Sequence, residues 1–413
     1  MSGRVILHSD LNNYYASVEC MLNESLRDKY VAVCGRREDR HGIVLAKNQK
    51  AKLCGVKTGE AIWEAKQKCP DLVIVPPHFN EYMKYSKLVR QIYYRYTDLI
   101  EPFGLDECWL DVTPSLDILG SGENIAYSIK ETVKKELGLT VSVGVSFNKI
   151  FAKLGSDMKK PDAVTVISEQ NFRSKVWSLP ASDMLGVGRA TKKLLDTANI
   201  CTIGDIARVG PDFLRTYLGI NGEKLWRYAN GLECSSVRLF GDEPPAKSIG
   251  HGITCTSDLY NDEEVKCVFM ELAQGVSHRL RDCDMSAGGV QISVKDNALN
   301  VRGMQTSVCP TQSFYELTEC ALGLFKKLYD WKRPVRALSV AAIRLRSAYE
   351  PVQQDLFTDL VKRDKREKLE VAMEKIQQKY GRRTIRPAVL MQNIKMPEQN
   401  FEETLVMPGY PGC

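Results

Sequence analysis

The sequence predicts an α+β chain of several domains, and three observations carry that prediction. Short apolar runs that stop at acidic residues alternate with amphipathic helical stretches from about residue 4 to 165. Glycine-punctuated helical hairpins follow from about 166 to 235, and from 248 to 345 the pattern reads strand, helix, strand, strand, helix, strand. The 413 residues, 44% apolar and 26% charged, have the length for roughly two to four domains at ~150 residues each. That balance excludes a disordered or collagen-like chain.

Val5-Ile6-Leu7 reads as a short buried strand that stops at Asp10, after which Asn12 and Asn13 can cap a helix carrying Tyr14, Tyr15, Val18 and Met21. An acidic residue therefore sits at a strand-to-helix junction. Leu99, Ile100, Phe103 and Leu105 lead into Asp106-Glu107, and extended structure resumes at Trp109-Leu110-Asp111-Val112, so two more carboxylates fall in a strand-rich segment. Val141, Val143 and Val145 alternate along a strand from Leu139 to Ser146, ahead of a basic helix from Asn148 to about Met158. Leu185-Gly186-Val187-Gly188-Arg189 opens a helix-hairpin-helix pattern with a helix from Ala190 to Ala198. The pattern recurs loosely from Leu218 to Leu225, giving a small helical domain over 166–235.

Residues 236–246, with Pro244-Pro245, read as a linker. Next come a strand from Ser248 to Thr256 and a helix with Val265, Phe269, Leu272, Val276 and Leu280 on one face. Strands follow at Val290–Val294 and Arg302–Thr306. The capping box Ser313 to Glu316 then opens a helix burying Phe314, Leu317, Ala321, Leu324 and Leu328, before a last strand from Val335 to Leu345. That order is the ferredoxin-like one. A charged helix from about Asp359 to Tyr380 and a Pro/Gly-containing tail follow. The tail is expected not to pack. Ten Lys/Arg against four acids from Lys362 to Arg386 fit nucleic-acid contact or a solvated helix face, and no role is assigned.

Lys and Arg number 57 against 51 acids, so the excess of six does not by itself argue for a polyanionic partner. The 13 Cys form no C-x-x-C pair and their odd count leaves at least one unpaired, the usage of a reduced, cytosolic protein without a zinc site. No apolar run approaches the ~18 residues of a membrane span. His8 and Asp10 arrive before any signal-like core, so the chain is expected to be soluble and not exported.

Asp10, Asp106 and Glu107 are the sharpest constellation. Three carboxylates at one end of a sheet repel unless divalent cations lie between them, and two hard cations there suit in-line phosphoryl transfer. Taken alone, an Asp-Glu pair reads as a solvated turn. The context is a set of ordered motifs: His8-Ser-Asp-Leu-Asn-Asn-Tyr-Tyr-Ala-Ser-Val-Glu19, Leu105-Asp-Glu-Cys-Trp-Leu-Asp111, Ser146-Phe-Asn-Lys149, Ser156-Asp-Met-Lys-Lys-Pro161, Leu185-Gly-Val-Gly188 and Lys247-Ser-Ile-Gly250. Together they resemble the Y-family translesion DNA polymerases, the DinB or polymerase IV branch most, from about residue 4 to 346. The resemblance implies a right-hand polymerase with a ferredoxin-like palm (1–10 and 76–165), small fingers (11–75) and a helix-hairpin-helix thumb (166–235). A linker (236–246), a ferredoxin-like little finger (247–347) and a C-terminal tail (348–413) would complete it.

The same resemblance implies two Mg²⁺, with Mn²⁺ as a substitute, on the catalytic Asp10, Asp106 and Glu107, with the Leu11 carbonyl completing one shell. Tyr15, five residues after Asp10, matches the family's steric gate, an aromatic ring that lies beneath the sugar and rejects a 2′-hydroxyl. Tyr14 beside it is placed at the nucleotide too, although it is the better candidate for a plain core aromatic. Leu45 and Ala46 would roof the nascent base pair, and Gln49, Lys52 and Lys160 would face the triphosphate. The family usually has Tyr and Arg where this chain has Gln49 and Lys52, so a point charge replaces a bidentate fork. For DNA, Gly186 and Gly188 would aim backbone N–H groups at a phosphate. Lys295, Arg302, Arg336, Arg344 and Arg346 punctuate strands, so that one sheet face could grip a DNA backbone, or they merely protect sheet edges.

Gln353-Gln-Asp-Leu-Phe357 resembles the peptide by which bacterial polymerases bind the sliding clamp, with Gln353, Leu356 and Phe357 as the contacts. The resulting expectation is a monomeric bacterial DNA polymerase of the cytoplasm that works on primer–template and dNTP with low fidelity and no proofreading. The competing expectation is a DNA-binding accessory protein of the same architecture that has lost turnover, supported only by Gln49 and Lys52. Nucleotide-cyclase chemistry on a similar palm would not need the hairpin and little-finger grips on DNA.

Overall fold

The computed structural model describes residues 3–40, 42–242, 244–351, 359–381, 384–392 and 394–397. They gather into two compact units, one made of residues up to 33 and from 44 to 243, the other of 34–43 and the described residues from 244 onward.

The first unit begins β1 (Ile6–Leu11), α1 (Tyr14–Leu22), β2 (Val31–Cys34), β3 (Val44–Lys47), α2 (Gln49–Leu53), α3 (Ile62–Lys68), β4 (Val73–Val75) and α4 (Phe79–Tyr93). It continues β5 (Ile100–Pro102), β6 (Glu107–Asp111), α5 (Leu116–Leu119), α6 (Gly122–Leu137), β7 (Val141–Ser146), α7 (Lys149–Met158) and β8 (Val164–Val166). The main sheet is ordered β5-β6-β1-β7-β8, and a small second sheet is ordered β3-β2-β4. Because β1 is the central strand, every residue in it is buried, including the polar His8, Ser9 and Asp10. Its register sets His8 between Trp109 and Gly144, and Asp10 between Glu107 and Ser142.

Gly144 decides how closely α7 lies on that sheet. A Cβ there would stand 1.9 Å from the Ala152 carbonyl oxygen and 2.5 Å from the Ser156 nitrogen, while a Cβ on Gly155 would stand 3.1 Å from the Gly144 Cα. Two facing glycines thus let helix and strand backbones touch. Asn148 starts α7, accepting the Phe151 N–H at 2.8 Å. The helix thereby carries Lys153, Ser156 and Asp157 across the sheet toward the end of β1.

Five helices follow: α8 (Phe172–Val176), α9 (Arg189–Thr197), α10 (Ile203–Arg208), α11 (Pro211–Leu218) and α12 (Ile220–Ala229). They enclose Leu195, Ile203, Ile206, Leu214 and Leu225. The glycine hairpins are where the sequence put them: Gly186 takes φ +94° ahead of α9, and Gly219 takes φ +68° between α11 and α12. Among its described residues the stretch read as a linker has no helix or strand, yet its start is docked. Val237 is buried with Ile6, Trp109 and Ala152, and the Arg238 guanidinium lies 3.6 Å from Glu101.

In the second unit β9 (Ser248–Leu259), α13 (Asp262–Asp282), β10 (Met285–Asp296), β11 (Val301–Thr311), α14 (Phe314–Leu328) and β12 (Val335–Ile343) follow the expected succession. Their sheet is ordered β11-β10-β12-β9 and is antiparallel throughout. The second and fourth strands are central here. In the first unit, the corresponding four strands run β5-β6-β1-β7, with the first and third central. Strand β12 ends at Ile343, two residues before the expected end, because Arg344 takes a left-handed backbone with φ +53°. A two-residue β13 (Arg346–Ser347) then pairs with Met285 and Ser286.

The expected charged helix exists as α15 (Leu360–Tyr380), but one of its faces is packed. Glu370 is 2% exposed. Its carboxylate accepts the Ser313 hydroxyl at 2.6 Å and the Phe314 N–H at 3.0 Å, and it pairs with Arg281 at 3.0 Å. Met373 and Leu390 are buried as well. The part of the expected tail described here therefore belongs to the second unit, and the physical reason is Glu370, which closes the N-terminus of α14. The predicted clamp peptide, Gln353 to Phe357, and residues 398–413 lie outside the described residues. Glu370→Ala should cost about 2–4 kcal/mol by orphaning two donors and a guanidinium. The readout is faster amide hydrogen exchange along α15 and at Phe314; unchanged exchange would mean that other contacts hold the helix.

Candidate active site

The backbone brings the three predicted carboxylates to one end of two paired strands, although their oxygens do not all lie within 4.8 Å of one another. Asp10 stands opposite Glu107 in the β1–β6 register, and the Leu11 N–H donates to the Asp106 carbonyl at 3.0 Å. The turn that presents Asp106 depends on Gly104, whose φ of +93° favours glycine. It is also braced from α4. The Ser86 hydroxyl donates to the Leu105 carbonyl, and the Arg90 guanidinium donates to Ser86 Oγ at 2.7 Å and to the Gly104 carbonyl at 3.4 Å.

Cationic side chains from α7 and the turn after it face these acids. Lys160 Nζ lies 2.7 Å from Asp10 Oδ2 and 2.8 Å from Asp157 Oδ1, and Lys153 Nζ lies 2.5 Å from Glu107 Oε2. Asn12 anchors the Lys160 turn, accepting the Asp162 N–H at 2.8 Å and donating to Ser142 Oγ at 2.9 Å. His8 is fully buried behind Glu107. Its Nδ1 is 2.8 Å from Ser156 Oγ, its Nε2 is 3.4 Å from Glu107 Oε2, and its ring meets Trp109 edge-on at 5.3 Å.

The sequence motifs contained His8 without marking it, and Lys153 falls between two of them, after Lys149 and before Ser156. The helical spacing Lys153, Asp157, Lys160 was the available signal for the lysine, since i, i+4, i+7 share a face. For the histidine it was its place two residues before Asp10 on one strand, hence on the same side.

Burial dominates the electrostatics. It pushes Asp10 up to about 7 in spite of Lys160, with Glu107 and Asp106 adding to the rise. Asp106 is raised by burial and by Glu107. Burial also works against Glu107, but the His8 hydrogen bond and the Lys153 charge outweigh it and hold that carboxyl at about 2. His8 itself is lowered, mainly by burial. An all-oxygen donor set in which one acid is driven toward its neutral form suits a hard divalent cation, which would restore the ionised state.

Of the residues expected at the nucleotide, Tyr15 is half-buried and stacks on Tyr82 with ring centres 4.2 Å apart and planes 8° apart, while Phe79 meets it edge-on at 6.1 Å. Tyr82 is fixed in turn by its hydroxyl, which donates to Glu19, whose other neighbour is His78 at 2.9 Å. Tyr14, the better candidate for a plain core aromatic, is 3% exposed and its hydroxyl donates to the Tyr82 carbonyl. Leu45 and Ala46 lie half-buried on β3, which packs against α1. Gln49 and Lys52 lie on α2, where Asn48 caps the first turn. Lys47, passed over in the sequence, has its pKa lowered by burial and by the charge of Lys52, and donates to Thr58 Oγ1 at 2.8 Å.

Helix α9 starts at Gly188 without a side-chain cap. In the second unit the cations do not share one sheet face, which corrects the expectation. Arg302 pairs with the buried Val294 and so points to the helix-covered side, near Asp330 at 3.9 Å. Lys295 is one residue out of phase with it and points to the open side. Arg336 is on β12, Arg344 sits beyond that strand with its guanidinium on Ser307 Oγ, and Arg346 is on β13. The open side is lined by small residues: a Cβ on Gly252 would lie 2.7 Å from that of Ser339.

Residues 9–157 match the model of the impB/mucB/samB family, and residues 246–356 match that of the family's C-terminal domain. A DNA polymerase IV of Acetivibrio thermocellus is 49% identical over 391 residues, covering 94% of this chain and 98% of that protein. One of Bacillus velezensis is 36% identical over 396 residues, 94% of each. A DNA polymerase IV 1 of Bacillus subtilis is 35% identical over 388 residues, 93% of this chain and 92% of that one. Among solved structures, a Y-family DNA polymerase chimera superposes with a TM-score of 0.73 at 22% identity, over 82% of this chain and 98% of that one. The architecture is thus of the Y-family polymerase class. The chain belongs to the impB/mucB/samB family, in its DNA polymerase IV branch.

Because Arg90 and Ser86 hold the Gly104–Leu105 turn, Arg90→Ala should cost about 1–3 kcal/mol. Thermal unfolding measures it, and an unchanged midpoint would mean that the turn needs no brace from α4.

Proposed function

We propose that this chain is a template-directed DNA polymerase of the lesion-bypass type that adds a nucleotide from a dNTP to a primer 3′-hydroxyl at Asp10, Asp106 and Glu107. The observation that supports this reading is the strand register that sets Asp10 opposite Glu107, with Asp106 in the turn just before it and Lys160 beside Asp10. In the transfer the deprotonated 3′-oxygen bonds to the α-phosphorus, the α–β bridging P–O bond breaks and pyrophosphate leaves. Asp10, Asp106, Glu107 and the Leu11 carbonyl would hold two Mg²⁺, or Mn²⁺ in their place, and the ions supply Lewis acidity to the hydroxyl and the leaving group. Lys160 would pass from Asp10 to the β- and γ-phosphates when the nucleotide arrives. Gln49 and Lys52 would face the triphosphate, and Leu45 and Ala46 would cover the base pair. Tyr15, kept flat by Tyr82, would lie under the sugar.

In this reading residues 1–10 and 76–165 are the palm, 11–75 the fingers, 166–235 the thumb, 236–246 the linker and 247–347 the little finger, followed by the tail. Gly186 and Gly188 would contact one DNA phosphate through the start of α9. Lys295, Arg336, Arg344 and Arg346 would hold the backbone elsewhere, and small residues such as Gly252 would let it approach the open sheet face. Gln353, Leu356 and Phe357 would bind a sliding clamp. The enzyme would act as a monomer in the bacterial cytoplasm, and synthesis has low fidelity and no proofreading step. The accessory-protein alternative has no support beyond Gln49 and Lys52.

Primer extension with Mg²⁺ tests the assignment. Wild-type protein should extend a primer and Asp106→Asn should lose about 10³-fold in rate, the several kcal/mol a metal ligand supplies; equal extension would remove the site. Tyr15→Ala should relax discrimination against ribonucleotides by about 10²-fold in single-nucleotide incorporation. Unchanged discrimination would take the sugar gate away from Tyr15.

A further inference from the structure

Among the described residues, Glu107 is held through one oxygen only. Lys153 Nζ at 2.5 Å and His8 Nε2 at 3.4 Å both approach Oε2. His8 is fully buried, and its Nε2, although 3.4 Å from Glu107 Oε2, makes no well-aligned hydrogen bond among the described residues. Its other nitrogen fixes which way the proton points. Ser156 Oγ lies 2.8 Å from Nδ1 and 2.8 Å from the Lys153 carbonyl, and its single proton can go to either. The Lys153 carbonyl lies inside α7, where the helix ladder already supplies a donor. If the serine bonded there, Nδ1–H would donate to Oγ and the bare Nε2 lone pair would face a buried carboxylate. If the serine donates to Nδ1, the imidazole carries its proton on Nε2, on the side of Oε2, and a small turn of the carboxylate or ring would complete the bond. Only the second arrangement is attractive at both ends.

We propose that His8, set in the Nε2–H tautomer by Ser156, is a positioning residue for Glu107: together with Lys153 it takes Oε2 and leaves Oε1 for a divalent cation. The inference rests on the reading of Glu107 as a metal ligand. The close approach that makes it possible is the Gly144–Gly155 contact, which brings the Ser156 backbone onto β7 behind His8. Trp109 guides the ring by its edge-on contact, with its own indole N–H donating to the Lys149 carbonyl at 2.9 Å.

The test compares His8→Leu, His8→Gln and Ser156→Ala with Glu107→Gln in the full chain bound to primer–template. It measures kcat and KM for the dNTP by single-nucleotide extension, and Mn²⁺ affinity by the free-ion electron paramagnetic resonance signal. His8→Leu should lower kcat about tenfold or more and weaken Mn²⁺ binding severalfold, with KM and DNA affinity within threefold. His8→Gln, whose amide can donate from nearly the same place, should restore most of both. Ser156→Ala should fall between them, and because it leaves the imidazole in place it separates tautomer control from a folding defect. Wild-type Mn²⁺ affinity and kcat in His8→Leu, or equal losses in His8→Gln and His8→Leu, would overturn the proposal. If Glu107→Gln kept both Mn²⁺ binding and turnover, the metal-ligand reading would fall first, and this inference with it. A dead Glu107→Gln beside a normal His8→Leu would remove this inference alone.

Discussion

Three carboxylates crowded at the end of a buried strand are an electrostatic load that the first unit is built to carry. Asp10 lies on the central strand of the main sheet, Glu107 is its partner on the next strand, and Asp106 is the residue before it. Neither removal from water nor like-charge repulsion favours three ionised groups there. The neighbours sort them unequally. Glu107 has Lys153 on it and His8 close by and is held down at about 2, whereas Asp10, with one lysine against the combined push of burial and two acids, rises to about 7. A site left in that uneven state without ions is one that hard cations complete, and the same incompleteness lets phosphate oxygens and ions enter together.

Holding that load requires a close and rigid backing. The Gly144–Gly155 contact sets α7 on the sheet with no side chain between them, so Lys153 and Ser156 are fixed to within the precision of backbone packing. Ser86 and Arg90 do the same for the turn before Asp106, and Asn12 for the turn after Lys160. Each of these residues acts on main-chain groups. The acids are therefore positioned by the fold and not by one another, as mutual repulsion would demand.

Much of this is legible in the sequence. The strand ending in Asp10, the Asp-Glu pair, the glycine hairpins and the six-element pattern of the second unit follow from apolar period, turn residues and capping, all local signals. What escaped was non-local or two-dimensional. Ser86 and Arg90 touch carbonyls on another element, and no residue type announces that. Whether Arg302 and Lys295 share a sheet face depends on strand register, because one step reverses every side chain. Tyr14 and Tyr15 look alike in sequence and differ only in which ring reaches the interior. In α15, the charges that suggested a solvated helix include Glu370, which is buried because a helix N-terminus, a serine and an arginine all satisfy it at once. The clamp-like peptide precedes that docked helix in the chain.

The central claim is that Asp10, Asp106 and Glu107 share ions where a primer ends. The most direct measurement is anomalous diffraction from crystals of the protein with primer–template, a non-hydrolysable dNTP and Mn²⁺. The account predicts two Mn²⁺ peaks among these three side chains, each bound by oxygens at roughly 2.0–2.4 Å. Peaks seated elsewhere, or none within reach of Asp10 and Glu107, would contradict it.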